Sequence, residues 1–264
     1  MPALHATATR VNDDDYVLTS TSLSPSTTTS TTTTTSDVDV DVRRQRARLT
    51  VVLAFGAMTK IKICGITNPE DALACIEAGA DAIGLNLVPT SKRYVTPEET
   101  RVILRAVAAA APKFLTVAVV ADLPLAEMFE WQHEFGCLQL HGNETPQQLL
   151  PLLPHAYKAV RIGDAQDVAS AANFAGEHLL ADAKVAGTLG GTGTIFDWTL
   201  VRELARARKL TLAGGLDATN VHEAISSVKP YAVDVASGVE LVGNPRRKDS
   251  ARIRDFVREV KRAS

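Results

Sequence analysis

The chain has 264 residues, of which 45% are hydrophobic and 22% are charged, so it holds enough apolar side chains for one sizeable core. With a net charge of −2, the chain lacks the excess of basic residues that favours binding to nucleic acids or to anionic membranes. We therefore expect neither a nucleic acid nor a membrane as a partner. The three cysteines form no C-x-x-C pair, which argues against a disulfide framework or a thiolate zinc site and favours a reducing, cytoplasmic location.

The first 57 residues are predicted to be a disordered extension. Sixteen of the 18 residues from Thr19 to Ser36 are Ser or Thr. Such a tract cannot bury enough apolar surface to offset the entropy of ordering the chain. We expect Met58 to be the natural start, with a genuine tethering or solubilising tail as the alternative. The apolar run from Leu49 to Ala57 is far shorter than the ~20 residues of a membrane span, and no later run reaches that length.

Beyond Met58, short β-branched runs alternate with amphipathic stretches, which is typical of βα units and a parallel sheet. The predicted strands are Lys60 to Cys64, Ala82 to Leu87, Phe114 to Val120, Leu138 to His141, Ala156 to Arg161, His178 to Asp182, Leu210 to Ala213 and Ala232 to Ala236. The predicted helices begin near Pro69, Pro97, Leu125, Thr145, Ala165, Asp197, Thr219 and Lys248.

Eight such units predict a single α/β domain over residues 58–264, a (β/α)8 TIM barrel. A doubly wound sheet is the rival architecture. It would carry a glycine fingerprint after the first strand, where Cys64-Gly65-Ile66-Thr67 stands instead. In a barrel, catalytic groups lie at the carboxyl ends of the strands and in the loops that follow, so these positions are the ones to inspect.

Two strand ends carry candidate proton-transfer groups. Cys64 closes the first strand, and the turn at Gly65 leaves its thiol facing the barrel mouth, where a nearby electropositive phosphate site would lower its pKa from ~8.5 and make it a usable base. Asp182 closes the sixth strand, where an unpaired carboxylate is costly to bury, and we interpret it as an acid. Packing for Cys64 and an N-cap or loop brace for Asp182 are the alternatives.

Glycines follow the last two strands. Gly214 and Gly215 end strand seven, and Ser237 and Gly238 follow strand eight where a short extra helix would begin. Converging backbone N–H groups at these loops predict a phosphate site, although glycines can also simply turn a corner. The Gly-Gly-Thr-Gly loop at 190–193 lacks the Lys-Ser/Thr ending of a nucleotide-binding loop, so ATP is not expected.

Four further residues are candidate substrate contacts. Arg93, after strand two, can bind a carboxylate through two parallel hydrogen bonds, although an ordinary surface arginine is the alternative. Gln139 and His141 alternate on strand four, so both face one side of the sheet and can reach a sugar hydroxyl. Asp234 lies on strand eight. His141 has no partner at metal-ligand spacing, and we expect no metal.

The ordered series of strand-end motifs resembles the phosphoribosylanthranilate isomerase family. The motifs stand on six of eight strand ends, from about Lys60 to the C-terminus, and are Lys62-Ile63-Cys64-Gly65-Ile66-Thr67, Ser91-Lys92-Arg93-Tyr94-Val95, Leu138-Gln139-Leu140-His141-Gly142-Asn143-Glu144, Gly190-Gly191-Thr192-Gly193 with Phe196-Asp197-Trp198, Leu212-Ala213-Gly214-Gly215-Leu216 and Asp234-Val235-Ala236-Ser237-Gly238-Val239-Glu240. The resemblance implies the Amadori rearrangement of N-(5′-phosphoribosyl)anthranilate in tryptophan biosynthesis, with no cofactor.

The same resemblance implies a role for each matching residue. Cys64 corresponds to the general base, Asp182 to the general acid and Arg93 to the contact of the anthranilate carboxylate, while the two glycine loops correspond to the phosphate site. The partner is then a small phosphorylated sugar–anthranilate, and the chain is a monomer or a homodimer. Departures include Leu85 to Pro89 in place of an aromatic-rich run, Thr194-Ile195 in place of a lysine, and Arg246-Arg247 in place of Gly-Lys.

Two other functions remain open at this point. Another aldose–ketose phosphosugar isomerase on the same barrel would present a carboxylate where Cys64 stands. A non-catalytic barrel that binds a phosphorylated ligand, with the acidic extension as its interaction element, belongs to a different class of protein.

Overall fold

The structure of the protein is a computed structural model that describes residues 7–12, 15–19, 58–183 and 197–264. The chain divides into two units, Met1–Phe55 and Gly56–Ser264. In the first unit, Thr7–Asn12 and Asp15–Thr19 pair as antiparallel strands, a regular structure that the sequence analysis did not predict. Nearly all of the Ser/Thr tract on which the prediction of disorder rests, and the loop at 190–193, lie outside the described residues.

The second unit is a closed barrel of eight parallel strands, which confirms the predicted (β/α)8 architecture. Each strand pairs with its neighbours in chain order, and β8 closes the barrel against β1, with Asp234 opposite Lys62 in register. The strands are β1 (Lys60–Cys64), β2 (Ala82–Asn86), β3 (Leu115–Val120), β4 (Cys137–Leu140), β5 (Ala156–Ile162), β6 (His178–Ala183), β7 (Lys209–Leu212) and β8 (Ala232–Val235).

A helix follows each strand, and several of these helices begin at a capping side chain. Asn68, Thr96 and Asp164 each accept a hydrogen bond from the first turn, and Thr96 forms a reciprocal capping box with Glu99. The helices are α1 (Pro69–Ala78), α2 (Pro97–Ala110), α3 (Leu125–Glu134), α4 (Pro146–Leu149), α5 (Ala165–Ala171), α6 (Arg202–Ala207), α7 (Val221–Val228) and α8 (Ser250–Ala263).

Three predicted helix starts differ in detail. Asp197 caps a 3-10 turn, Trp198–Val201, that leads into α6, and the helix predicted near Thr219 begins at Val221. The helix predicted near Lys248 begins at Ser250, because Lys248 belongs to a strand of a hairpin that the sequence analysis missed. That hairpin comprises β9 (Glu240–Leu241) and β10 (Asn244–Lys248), and it follows a 3-10 turn, Ser237–Val239.

The core has two parts that follow from the alternation of side chains along each strand. Outward-facing residues pack against the helices in one large apolar cluster that includes Ile63, Leu85 and Phe256. Inward-facing residues fill the lumen with a smaller cluster of Val117, Tyr157, Ala159, Leu180 and Ala213, against which Cys137 packs. Within the described ranges, none of the helices combines the length and the apolar character that crossing a membrane requires.

Candidate active site

The thiol of Cys64 shares the lumen with two charged side chains. Lys62 and Cys64 are two residues apart on β1, and Nζ of Lys62 donates to Oδ2 of Asp234 on β8 at 2.9 Å. Gly84 on β2 makes the space, because a Cβ at that position would lie 2.9 Å from Sγ of Cys64 and 3.0 Å from Nζ of Lys62. The structure therefore places the predicted base beside a buried ion pair.

The electrostatic environment of Cys64 differs from the expectation. Burial raises the pKa of the Cys64 thiol, with the Asp234 carboxylate acting in the same direction, while Lys62 and Lys248 lower it. The effect of burial is larger because the partly buried thiol lies in the lumen and Lys62 is already paired with Asp234. The predicted lowering toward neutrality is therefore wrong for the protein without a ligand.

Lys62 is the first functional side chain that the sequence analysis missed. Burial alone would lower the pKa of its ammonium, but Asp234, Cys64 and Tyr157 together raise it, so Lys62 carries a charge in the lumen. A lysine two residues before a strand-end cysteine was the available signal, because the two side chains must face the same way.

Asp234 lies where the sequence analysis placed it and keeps one oxygen available. Its Oδ2 accepts from Lys62, whereas Oδ1 is buried and has no hydrogen-bond partner among the described residues. Burying a carboxylate oxygen without a hydrogen bond destabilises the protein unless a ligand hydroxyl or amine donates one to it. The geometry supports the prediction that Asp234 contacts the substrate.

A second group of polar side chains lines the lumen from β4 to β6. Asp182 is 5% exposed, and its Oδ1 accepts the backbone N–H of Ala183 at 2.9 Å. Nε2 of His141 lies 3.5 Å from Oδ2 of Asp182. Gln139 contacts Nδ1 of His141 at 3.0 Å through Nε2 and accepts the hydroxyl proton of Tyr157 at Oε1, at 2.9 Å. The structure thus places Gln139 and His141 on one face, as predicted from their alternation, and brings Asp182 beside His141.

The loops after β7 and β8 and the end of β6 come together beside Asp182. Gly214 has φ +89°, and a Cβ there would lie 2.6 Å from the backbone nitrogen of Ala183 and 2.9 Å from Oδ1 of Asp182. A Cβ on Gly238 would collide with the carbonyl oxygen of Leu216. These contacts require glycine. They bring the loop after β7 against the end of β6 and the loop after β8 against the loop after β7, where the phosphate site is predicted at Gly214, Gly215, Ser237 and Gly238.

Arg93 is held over the loop after β1. Its side chain packs so close to Gly65 that a Cβ there would collide with Cδ of Arg93. Nε donates to Oε1 of Glu240 at 2.5 Å, and Lys248 reaches the same oxygen at 3.3 Å. Within the described part of the chain, the guanidinium is bound through Nε, so its terminal Nη atoms can take a carboxylate in parallel. Glu240 was missed because its hairpin was missed.

Arg161 is a further cation at the mouth that the sequence analysis overlooked. It faces inward on β5, pairs in register with Asp182 on β6, and its Nη2 lies 3.4 Å from the carbonyl oxygen of His141. Alternation along β5 from Tyr157 was the available signal.

A separate surface cleft, lined by Glu177, Arg206, Lys209 and Tyr231 among others, lies at the opposite end of the barrel, where the strands begin.

Comparison with known proteins identifies the family of this chain. The model of the N-(5′-phosphoribosyl)anthranilate (PRA) isomerase family matches residues 61–259. A relative from Trichlorobacter lovleyi named N-(5′-phosphoribosyl)anthranilate isomerase is 40% identical over 210 residues, which cover 78% of this chain and 100% of that protein.

Solved structures give the same result. The crystal structure of phosphoribosyl anthranilate isomerase from Thermotoga maritima is similar with a TM-score of 0.69 and 37% identity, covering 77% of this chain and 99% of that one. An isomerase in complex with reduced 1-(o-carboxyphenylamino)-1-deoxyribulose 5-phosphate is similar with a TM-score of 0.66 and 35% identity, over 77% and 99% of the two chains. This chain therefore belongs to the N-(5′-phosphoribosyl)anthranilate isomerase family.

Proposed function

We propose that this chain converts N-(5′-phosphoribosyl)anthranilate into 1-(2-carboxyphenylamino)-1-deoxyribulose 5-phosphate by general acid–base catalysis, as a step of tryptophan biosynthesis. The observation that carries the proposal is the placement of Cys64 and Asp182 at the carboxyl ends of β1 and β6, facing one barrel mouth. The family match, and the product analogue bound by a similar isomerase, support this substrate class.

In the proposed reaction, Asp182 gives a proton to the furanose ring oxygen, the C1′–O bond breaks and a Schiff base forms between C1′ and the anthranilate nitrogen. The thiolate of Cys64 then removes the C2′ proton, which the Schiff base has acidified, and an enolamine results. Tautomerisation adds a proton at C1′ and releases one from the C2′ hydroxyl. The proton on Cys64 balances the one that Asp182 gave, so the reaction is a net isomerisation.

Both ends of the ligand are negatively charged, and each is proposed to bind hydrogen-bond donors. The Nη atoms of Arg93 bind the anthranilate carboxylate, and the backbone N–H groups of the loops after β7 and β8 bind the phosphate. Asp234 Oδ1 accepts from a sugar hydroxyl. Holding the ligand at both ends keeps the reacting carbons between Cys64 and Asp182, and this positioning lowers the barrier by several kcal/mol.

An activity assay on single variants tests the assignment. We expect the purified protein to convert phosphoribosylanthranilate, followed by anthranilate fluorescence, and we expect Cys64→Ser and Asp182→Asn each to lower kcat by about 100-fold or more, because each removes a proton transfer. Cys137→Ala is the matched control and should keep wild-type kcat, since Cys137 packs at the start of β4. A folded Cys64→Ser protein with wild-type turnover would contradict the role of Cys64.

We also propose that the reaction takes place in the cytoplasm. All three cysteines of the chain are unpaired, and a reducing compartment keeps a thiol that acts as a base from being oxidised. Cell fractionation followed by the activity assay tests this location.

A further inference from the structure

We infer that Tyr157 and Gln139 are positioning residues for the acid step: they fix the tautomer of His141 so that its Nε2–H faces the carboxylate of Asp182. The inference rests on the proposed function only for its catalytic consequence. The arrangement itself is visible as three consecutive contacts, from the Tyr157 hydroxyl to Gln139, from Gln139 to His141, and from His141 to Asp182.

The strands determine that these side chains meet. Gln139 and Tyr157 are register partners on β4 and β5, and His141 follows Gln139 by two residues on the same inward face. Gln139 is 1% exposed, so its amide cannot exchange its partners for water. Both polar atoms of that amide are engaged, one by Tyr157 and the other by His141. Gln139 therefore acts through His141.

The orientation of the Gln139 amide follows from the first contact. Burial raises the pKa of Tyr157 well above its ordinary value, so the side chain stays a phenol and has a proton to donate. The hydroxyl of Tyr157 donates to Gln139 at 2.9 Å, and the positive charge of Lys62, which interacts with Tyr157, favours this direction because it repels the hydroxyl proton. Oε1 of Gln139 accepts this proton, and the amide N–H group is thereby aimed at Nδ1 of His141.

The tautomer of His141 follows from the second contact. An amide N–H can only donate, so Nδ1 of His141 must accept, and the ring proton resides on Nε2. This Nε2 is buried and has no hydrogen-bond partner within the described ranges, and Oδ2 of Asp182 lies 3.5 Å away. That separation is longer than a hydrogen bond. The donor is therefore in place but not yet engaged.

The catalytic consequence concerns the charge that forms on Asp182. When Asp182 gives its proton to the ring oxygen, a negative charge develops on its carboxyl group, and the waiting Nε2–H can close the gap and bind it. An interaction that strengthens only as the charge develops lowers the barrier of the chemical step and leaves substrate binding nearly unchanged. A ring with its proton on Nδ1 would instead turn a lone pair toward this charge.

Nuclear magnetic resonance of the histidine rings tests the tautomer without substrate. Long-range proton–nitrogen correlation of 15N-labelled protein distinguishes a protonated Nε2 from a protonated Nδ1, and His141→Asn identifies the ring among the six histidines. We expect Nε2–H in the wild-type protein. Gln139→Glu replaces the donor with a carboxylate and should move a proton onto Nδ1. A wild-type spectrum with the proton on Nδ1 would overturn the inference, whether or not the protein is an isomerase.

Kinetics test the consequence. We expect Tyr157→Phe to lower kcat by about 5- to 20-fold and to change KM less than twofold, because it removes one buried hydroxyl that acts only through Gln139 and His141. Tyr231→Phe, at the far end of the barrel, is the matched control and should match the wild-type protein. A folded Tyr157→Phe protein with wild-type kcat would overturn the positioning role. If Tyr157→Phe does not fold, the wild-type and Gln139→Glu spectra decide.

Discussion

Burial and the two nearby lysines act in opposite directions on the pKa of Cys64. Burial raises the pKa of its thiol, Lys62 and Lys248 lower it, and the balance lies on the side of burial. The thiolate, which both removes protons and reacts with alkylating reagents, is therefore scarce at neutral pH in the protein without substrate.

This balance predicts how the alkylation rate of Cys64 depends on pH. Because the pKa is raised, the thiolate fraction and hence the rate with iodoacetamide should increase about tenfold per pH unit above pH 7 and should still be rising at pH 9, where an ordinary thiol with a pKa of ~8.5 levels off. Mass spectrometry of the Cys64 peptide separates it from Cys137, whose pKa burial raises to about 11. A rate that levels off below pH 8 would mean that the two lysines outweigh burial.

The pair of Arg93 and Glu240 leads to a second prediction about single residues, which concerns substrate binding. Arg93→Ala should raise KM for phosphoribosylanthranilate by about 10- to 100-fold with a smaller effect on kcat, because charge-assisted hydrogen bonds contribute ~1.5 to 3 kcal/mol. Glu240→Gln should raise KM by only a few-fold, since Arg93 remains but is held less firmly.

Steady-state kinetics of both variants, with Arg101→Ala as control, measure the difference. Arg101 pairs with Glu134 on the helical surface, so its loss should leave KM unchanged. An Arg93→Ala protein that lost kcat with unchanged KM would assign Arg93 to the chemical step and not to ligand binding.

Among the elements, β2 contributes to the site because Gly84 has no side chain and so leaves room for Cys64 and Lys62. Gly84 has no unusual backbone conformation, but a Cβ there would press on Cys64 and Lys62 together. We expect Gly84→Ala to cost about 1 to 3 kcal/mol of stability by overpacking and to lower kcat by at least tenfold by displacing the thiol.

The control for this substitution is Gly136→Ala, just before β4. A Cβ at Gly136 would lie 3.0 Å from Cδ1 of Leu115, a side chain that is 44% exposed and can turn away. Thermal unfolding and kcat of both variants compare the two sites. Wild-type kcat in Gly84→Ala would show that Cys64 tolerates the displacement, and the space at Gly84 would then be irrelevant to catalysis.

The elements also show how far local sequence signals reach. Every barrel strand was predicted within one residue at each end, because parallel strands read as short β-branched runs between caps and turns. The β9–β10 hairpin escaped prediction, since Glu240–Leu241 has only two residues and Asn244–Lys248 is polar, which is the pattern of a loop. Because the hairpin was missed, so were Glu240, which pairs with Arg93, and Lys248, which pairs with Glu240.

At the scale of the whole molecule, the barrel strands and helices all lie within residues 58–264. We expect deletion of residues 1–57 to leave kcat unchanged and to leave Tm unchanged within about 2 °C, because the Ser/Thr tract offers little apolar surface to contribute to stability. Calorimetry and kinetics of the full-length and Met58-start proteins, measured side by side, check this. A fall in Tm of more than a few degrees would show that the segment stabilises the barrel.

The barrel, the strand ends at which Cys64, Asp182, Asp234 and His141 stand, and the family were all predictable from the sequence. These are local properties, because periodicity, caps and short motifs are written in consecutive residues. Three features of the site emerge only in the folded chain: Lys62 pairs with Asp234, Tyr157 and Gln139 reach His141, and burial raises the pKa of Cys64. Hydrogen bonds across the lumen and the loss of water depend on which strands become neighbours and how closely they pack, and no local pattern encodes either.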